Sequence, residues 1–279
     1  MGSSEFGVMS SELKNKIQKL KEIFESLGKV VVAFSGGVDS TFLLKMARDT
    51  LGVENVLAVT ALSPLYPERE LRGAKKMAEE MGVSHLLIES NELEIDGFSK
   101  NPPDRCYLCK RELFGELKKT AQQENISCIV EGSTLDDEKD YRPGKKAIGE
   151  LGIRSPLVEA SFTKADVREV SKALGLPTWD KPSFACLASR FPYREEITAD
   201  GLKKVSEAED FLIGLGFKQV RVRHYKDLAR IEIFKEEIER LLDGAIREKV
   251  VEHLKKIGYQ YITLDLQGFR SGSMNEVLR

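Results

Sequence analysis

The sequence predicts an α/β protein with a doubly wound parallel sheet, followed by a smaller C-terminal α+β domain. Three observations predict it. Short β-branched runs alternate with helical patterns through the first half of the chain. The glycine-rich turn Ser35-Gly36-Gly37-Val38-Asp39-Ser40 joins one such run directly to a helix. Beyond Thr198 the pattern becomes one helix, two strands, two more helices and a last strand.

Each element has its own signal. Leu13, Ile17, Leu20, Phe24 and Leu27 recur at helical spacing up to Gly28, which fits a C-terminal stop. Val30-Val31-Val32-Ala33-Phe34 reads as a buried parallel strand, and the helix through Met46 and Ala47 opens right after the turn. A second strand is expected near Val56–Thr60, a helix from Pro67, a third strand over Leu86–Ile88, and a fourth over Ile126–Val130 after another helix. In such a sheet ligands bind at the carboxyl ends of the strands, where Ser35, Ser63 and Glu131 should converge. Thr163 opens a helix ending near Gly175, after which Pro177 and Pro182 break the chain into a loop carrying Cys186. The expected division is residues 1–9 as a leader outside the fold, 10–196 as a nucleotide-binding domain, and 197–279 as a substrate or oligomerisation domain.

The turn has the chemistry of a phosphate site. Gly36 and Gly37 let backbone N–H groups crowd around an anion, and Ser35, Ser40 and Thr41 add hydroxyls at a helix N-terminus. It lacks the Gly-Lys-Ser/Thr ending of a Walker loop and carries Asp39 instead. A carboxylate among phosphate-binding donors requires a divalent cation between the charges, so Asp39 points to ATP bound with Mg²⁺. Asp137 and Glu131 are weaker candidates for further metal contact.

Composition narrows the partners. The 279 residues carry a formal net charge of −2, without the basic field that non-specific nucleic-acid binding needs. No apolar run approaches the roughly 20 residues that span a bilayer, so no membrane role and a cytoplasmic setting are expected.

Four cysteines in such a chain point to metal, redox or nucleophilic roles rather than disulfides. Cys106-Tyr107-Leu108-Cys109 follows the loop signal Asn101-Pro102-Pro103-Asp104 and is expected just before a helix. The pair has the spacing to bite one metal or cluster, but a redox dithiol or half of a zinc site stays open. Cys186, beside Arg190, is the natural third thiolate. Cys128 lies in an apolar run and reads as a packing residue. His85, His224 and His253 show no metal-ligand spacing.

The glycine turn resembles the pyrophosphatase loop of ATP-dependent adenylating enzymes, the adenine nucleotide α-hydrolase-like superfamily. The match then narrows. Arg142-Pro143-Gly144, Gly152-Ile153-Arg154-Ser155-Pro156-Leu157, Thr178-Trp179-Asp180-Lys181-Pro182 and Cys186-Leu187-Ala188-Ser189-Arg190 resemble the LarE family of sulfur transferases in the lactate racemase cofactor pathway. So do Val220-Arg221-Val222-Arg223-His224, Ala229-Arg230-Ile231-Glu232-Ile233 and Gly268 to Asn275.

The resemblance implies that ATP adenylylates a carboxylate of a pyridinium dicarboxylate mononucleotide and that sulfur displaces AMP. The product is a thiocarboxylate precursor of the nickel-pincer nucleotide. In members with one active-site cysteine, the residue matching Cys186 gives up its own sulfur. Cys106 and Cys109 depart from that pattern and imply the variant in which three cysteines hold a [4Fe–4S] cluster that carries sulfide. Ser189, Arg190, Arg221, Arg223 and Glu232 are then the expected substrate contacts, with the arginines clamping phosphate or carboxylate. A sulfide or other sulfur donor and a homo-oligomeric state are expected as well. A tRNA thiolase of the same superfamily, a nucleotide-sensing module and a sacrificial Cys186 beside a zinc or redox pair remain the competing readings.

Overall fold

The computed structural model describes residues 9–138, 143–182 and 184–278. Residues 1–8 of the expected leader, Arg142 of the motifs above, and Ser183 of the loop before Cys186 lie outside the described residues. The chain forms two compact units. The first holds the described residues up to Ser63, Glu68–Ser90 and Cys106–Phe184; the second holds Pro64–Pro67, Asn91–Arg105 and Ala185–Arg279. The second unit thus joins two short upstream segments to the chain from Ala185 onward. It takes them by backbone pairing, Leu187 N–H to Leu65 O at 2.8 Å and Ile197 N–H to Ser99 O at 2.8 Å.

In the first unit, β1 (Val30–Ala33), β2 (Val56–Leu62), β3 (Ser84–Glu89) and β4 (Cys128–Val130) form a parallel sheet in the order β3-β2-β1-β4. The helices here are α1 (Ser11–Leu27), α2 (Val38–Leu51), α3 (Glu68–Glu80), α4 (Arg105–Gln123), α5 (Gly144–Glu150), α6 (Pro156–Glu159) and α7 (Lys164–Ala173). Successive strand residues face opposite sides, and here both sides are covered. Val30, Val32, Val56 and Ala58 join one core with residues of α1, α2, α3 and α7. Val31, Leu57 and Val59 join another with Phe114, Leu117 and Ala121 of α4 and Ile148 of α5. That burial on both faces explains why β1 reads as an unbroken apolar run, and it makes the sheet doubly wound as expected.

Two local expectations need correction. The fourth strand starts at Cys128, because Asn125 turns with φ 56° and the Ile126 amide still bonds to Ala121 O of the preceding helix. The Cys-x-x-Cys pair lies inside α4, not before it, since helix geometry resumes two residues after Pro103.

In the second unit, β5 (Val220–Tyr225) pairs antiparallel with β6 (Leu228–Ile233), and β6 pairs parallel with β7 (Tyr261–Leu264). Helices α8 (Ala199–Gly214), α9 (Ile238–Leu242) and α10 (Gly244–Ile257) complete it. Val220, Val222, Ala229, Ile231 and Ile233 pack with Leu212, Leu241 and Leu254. By strand alternation Arg221, Arg223, Arg230 and Glu232 share the other face. No described helix is long and apolar enough to cross a membrane.

Candidate functional site

The chain runs from β1 out to β2 and β3 and then returns to β4 on the other side of β1. The loops after β1 and β4 therefore diverge at a switch point, the usual ligand crevice of such sheets. Ser35, Ser63 and Glu131 all follow the carboxyl ends of their strands.

The turn after β1 is closed on itself. Ser35 N–H donates to Ser40 Oγ at 3.3 Å, the two hydroxyls lie 3.0 Å apart, and Gly37 N–H reaches Ser35 Oγ at 3.4 Å. Gly36 has φ +67°, and a Cβ there would stand 3.0 Å from Ala74 Cα. Gly132, after β4, approaches Ser40 N so closely that a Cβ would lie 3.1 Å away. The missing Cβ at Gly36 lets the turn pack against Ala74 of α3, and that at Gly132 lets the loop after β4 lie against the N-terminus of α2, which carries Asp39 in its first turn. Gly36→Ala is expected to cost about 1–2 kcal/mol for the left-handed backbone, more with the Ala74 clash, and to weaken ATP binding. Thermal melts with and without Mg-ATP check this.

Several predicted residues are placed differently. Thr41 is fully buried and its hydroxyl has no partner among the described residues, so Ser40 is the hydroxyl that builds the turn. Glu131 accepts from Ser133 N–H at 3.1 Å, from Ser133 Oγ at 2.8 Å and from Ser155 Oγ. Asp137 accepts from Thr134 N–H at 3.0 Å and meets Lys164 Nζ at 2.9 Å. Both carboxylates, expected as spare metal contacts, are thus engaged in holding their own loops. The turn gains instead a cation that sequence reasoning missed. Lys181 Nζ donates to Gly36 O at 3.0 Å and pairs with Glu70 at 2.7 Å, while Arg168 fixes its segment through Trp179 O and Lys181 O. Nothing in the local sequence signals this contact across 145 positions.

The Cys186 segment is built around a buried ion pair. Arg190 and Glu209 are both fully buried, with Nε to Oε1 at 2.8 Å and Nη2 to Oε2 at 2.9 Å. Arg190 Nη1 donates to Ala185 O, to Cys186 O at 2.9 Å and to Ser189 Oγ at 3.0 Å. Arg190, expected as a substrate clamp, therefore commits its donors to positioning the cysteine loop. Glu209 also accepts from Val222 N–H at 3.0 Å and so ties that loop to β5. A signal for Glu209 did exist. It stands on the buried stripe of α8 marked by Leu202, Val205 and Leu212, where a charge needs a partner.

Arg223 donates to Ser189 O at 3.0 Å, Glu232 at 2.7 Å and Ser273 Oγ at 3.0 Å. Glu232 also takes Arg230 at 3.1 Å, which leaves it a counter-charge rather than an open ligand. Arg221 bonds Val220 O at 2.8 Å and lies over the Phe269 ring. Burial, then repulsion from Arg190 and Arg223, pushes Arg221 down to about 9.

Cys106 is exposed and Cys109 half-buried; their i, i+3 spacing puts them on one face of α4. Cys186 is half-buried. Among the described residues no three His, Cys, Asp or Glu side chains are gathered so as to hold a metal ion. Cys128 packs at the edge of the first core, where burial pushes its thiol up and makes it a poor nucleophile. His85 meets Thr60 Oγ1 at 2.8 Å, His224 meets Tyr259 at 3.0 Å, and His253 stacks on Phe211.

A glycine turn at the switch point of a parallel sheet, opening a helix that carries Asp39, defines an α/β enzyme of the nucleotide-using kind, and the NAD synthase family matches residues 9–101. Full-length relatives narrow this. The pyridinium-3,5-bisthiocarboxylic acid mononucleotide synthase of Lactiplantibacillus plantarum is 42% identical over 266 residues, 95% of this chain and 96% of its own. The chain belongs to that synthase family, the LarE family. A Synechocystis protein described as uncharacterized is 43% identical over 95% of this chain and 99% of its own. A Methanocaldococcus jannaschii protein described in the same way is 32% identical over 93% and 96%.

Proposed function

We propose that this enzyme is an ATP-dependent sulfur transferase that converts a carboxylate of a pyridinium dicarboxylate mononucleotide to a thiocarboxylate, in the synthesis of a nickel-pincer nucleotide. The observation that carries the reading is identity of 42% along 95% of the chain to a synthase of that product class, in a sequence that has both the Ser35 turn and the Cys186 loop. Carboxylates resist nucleophiles. Attack of a carboxylate oxygen on the α-phosphorus of ATP forms the acyl-adenylate and expels pyrophosphate; sulfur then attacks the acyl carbon, and AMP leaves with the C–O bond pair.

In this reading Ser35, Gly36, Gly37, Asp39 and Ser40 hold pyrophosphate and Mg²⁺, with Thr41 behind them and Lys181 steadying the turn. Arg221 and Arg223 attract the anionic substrate, and Ser189 helps to fix it. Arg190 and Glu232 act on substrate only through the groups they position. The first unit serves ATP, and the second serves substrate and pairs with further copies in a cytoplasmic homo-oligomer, which light scattering tests.

The finer proposal concerns sulfur. Cys106 is exposed, Cys109 is half-buried and the two share one helix face, while Cys186 sits on a loop fixed through Arg190. Three thiolates are the donor chemistry of a [4Fe–4S] cluster, so Cys106, Cys109 and Cys186 are the residues that would hold one, although they are not gathered around a common point among the described residues. Such a cluster would supply sulfide to an enzyme that then turns over repeatedly. The competing route uses the Cys186 sulfur itself: loss of the Cα proton and cleavage of the Cβ–S bond leave dehydroalanine.

Anaerobically purified protein is expected to contain iron and acid-labile sulfide in near-equal amounts, both lowered in Cys106→Ala, Cys109→Ala and Cys186→Ala. Stoichiometric zinc without sulfide would remove the cluster. Mass spectrometry of Cys186 after several turnovers then separates the routes, since a residue lacking its sulfur selects the sacrificial one. Pyrophosphate release stimulated by tRNA and not by the pyridinium mononucleotide would move the assignment to a tRNA thiolase.

A further inference from the structure

Arg105 stands apart from the other arginines of the second unit. It is 5% exposed, and its Nε and Nη1 are buried without a hydrogen-bond partner among the described residues. Arg223, Arg230 and Arg270 also leave one buried nitrogen unbonded, but each has an acidic partner: Glu232 for the first two and Glu276 for the third. Arg105 has none among the described residues. A guanidinium is charged throughout the working pH range, and a buried charge without a counter-charge is destabilising.

What holds Arg105 is aromatic. Its guanidinium lies 4.5 Å from the centroid of the Tyr193 ring. Such a contact orients the plane of the cation but leaves its N–H donors unbonded. The surroundings are built. Asn101, fully buried with φ 52°, donates to Phe191 O at 3.2 Å and Pro192 O at 2.6 Å, and Arg194 N–H returns to Asn101 O at 3.0 Å. These bonds clamp the segment bearing Arg105 to the one that leaves the Cys186 loop. Tyr193 in turn donates to Asn275 Oδ1 at 2.9 Å, two residues past Ser273, which meets Arg223 and Glu232. Arg105 is thereby linked through consecutive contacts to the arginine face of β5.

We infer that Arg105 is an anion-recognition residue of the substrate site, its guanidinium fork receiving a carboxylate or phosphate. Placing that anion on the mononucleotide rests on the function proposed above. The ligand supplies the counter-charge that Arg105 lacks among the described residues. The Tyr193 ring holds the fork ready, so little ordering is needed on binding.

The test uses two anions as probes, inorganic phosphate and pyridine-3,5-dicarboxylate, titrated calorimetrically into the full-length protein, Arg105→Gln and Arg105→Lys. Wild type is expected to bind at least one probe about tenfold more tightly than Arg105→Gln, with Arg105→Lys in between, because lysine keeps the charge but loses the fork. A loss confined to phosphate identifies a phosphate subsite, and one confined to the dicarboxylate identifies a carboxylate subsite. Equal affinities of wild type and Arg105→Gln for both probes overturn the proposal. A lower melting temperature with unchanged affinities does so too, since it marks a purely structural arginine. ATP-dependent pyrophosphate release with the mononucleotide is measured separately. Its absence would remove the sulfur-transfer reading and leave anion binding at Arg105 to be decided by the titrations alone.

Discussion

Asp39→Ala is expected to lower ATP-dependent pyrophosphate release by about 10²–10³-fold, the scale on which removal of one preorganised electrostatic group acts. Asp39 lies in the first turn of α2, where backbone N–H groups and the helix dipole already favour anions. In the proposed reaction its carboxylate sits among phosphates with a divalent cation between them, so its removal would take away that cation's ligand from the protein. The structural cost should be small, since an acid in a first helical turn contributes about 0.3–1 kcal/mol. Rates measured against Mg²⁺ concentration, alongside melting curves, separate these effects. Asp39→Asn should be nearly as inactive while matching the wild-type shape. Unchanged release in either variant would remove Asp39 from the chemistry.

Glu209→Ala is expected to have the largest effect on stability. It would leave Arg190 buried and unpaired, at a cost of about 3–5 kcal/mol, which corresponds to a fall in melting temperature on the order of 10 °C. Glu209→Gln keeps an acceptor and should lose less. The same pair predicts the acid response. Burial pushes the Glu209 carboxyl up, but the Arg190 charge and hydrogen bonds, Arg221 and the Val222 amide together hold it below its ordinary 4.5. With a depressed folded value the unfolded chain takes the proton first. The stabilisation is therefore complete above pH 4.5 and is lost as pH falls through the folded value. Melts between pH 3 and 7 should show wild type losing stability on acidification more steeply than Glu209→Gln. Parallel curves would contradict the assignment. Because Arg190 also holds Cys186 O, alkylation of Cys186 should change in Glu209→Gln even at temperatures where the protein stays folded.

Much of the fold was legible because its signals are local. The run Val30–Phe34, the two glycines and the helix beyond them are contiguous, and their order alone implies strand, turn and helix. The charged stretch of β5 was legible too, since strand alternation puts Arg221 and Arg223 on one face whatever surrounds them. Roles at that face were not. Arg190 looks from sequence like a free fork beside a cysteine, and only the approach of Glu209, 19 residues away, turns it into a structural pin. Glu131 and Asp137 read as open carboxylates until Ser133, Ser155 and Lys164 occupy them. Lys181 stood within a recognisable motif, but its contact with Gly36 O was not legible, and neither was the stacking of Arg105 on Tyr193, because both join residues far apart along the chain.

The sequence by itself determined the sheet, the nucleotide turn and, through its motifs, the family. Those properties rest on periodicity and on residues adjacent along the chain. Tertiary structure alone decided which charges are paired and which are left over. A side chain's ionic partner is set by packing across many positions, and burial determines whether a missing partner matters. The turn at Ser35 was therefore recognisable before the fold was known, whereas the engagement of Arg190 with Glu209 and of Arg223 with Glu232 was not.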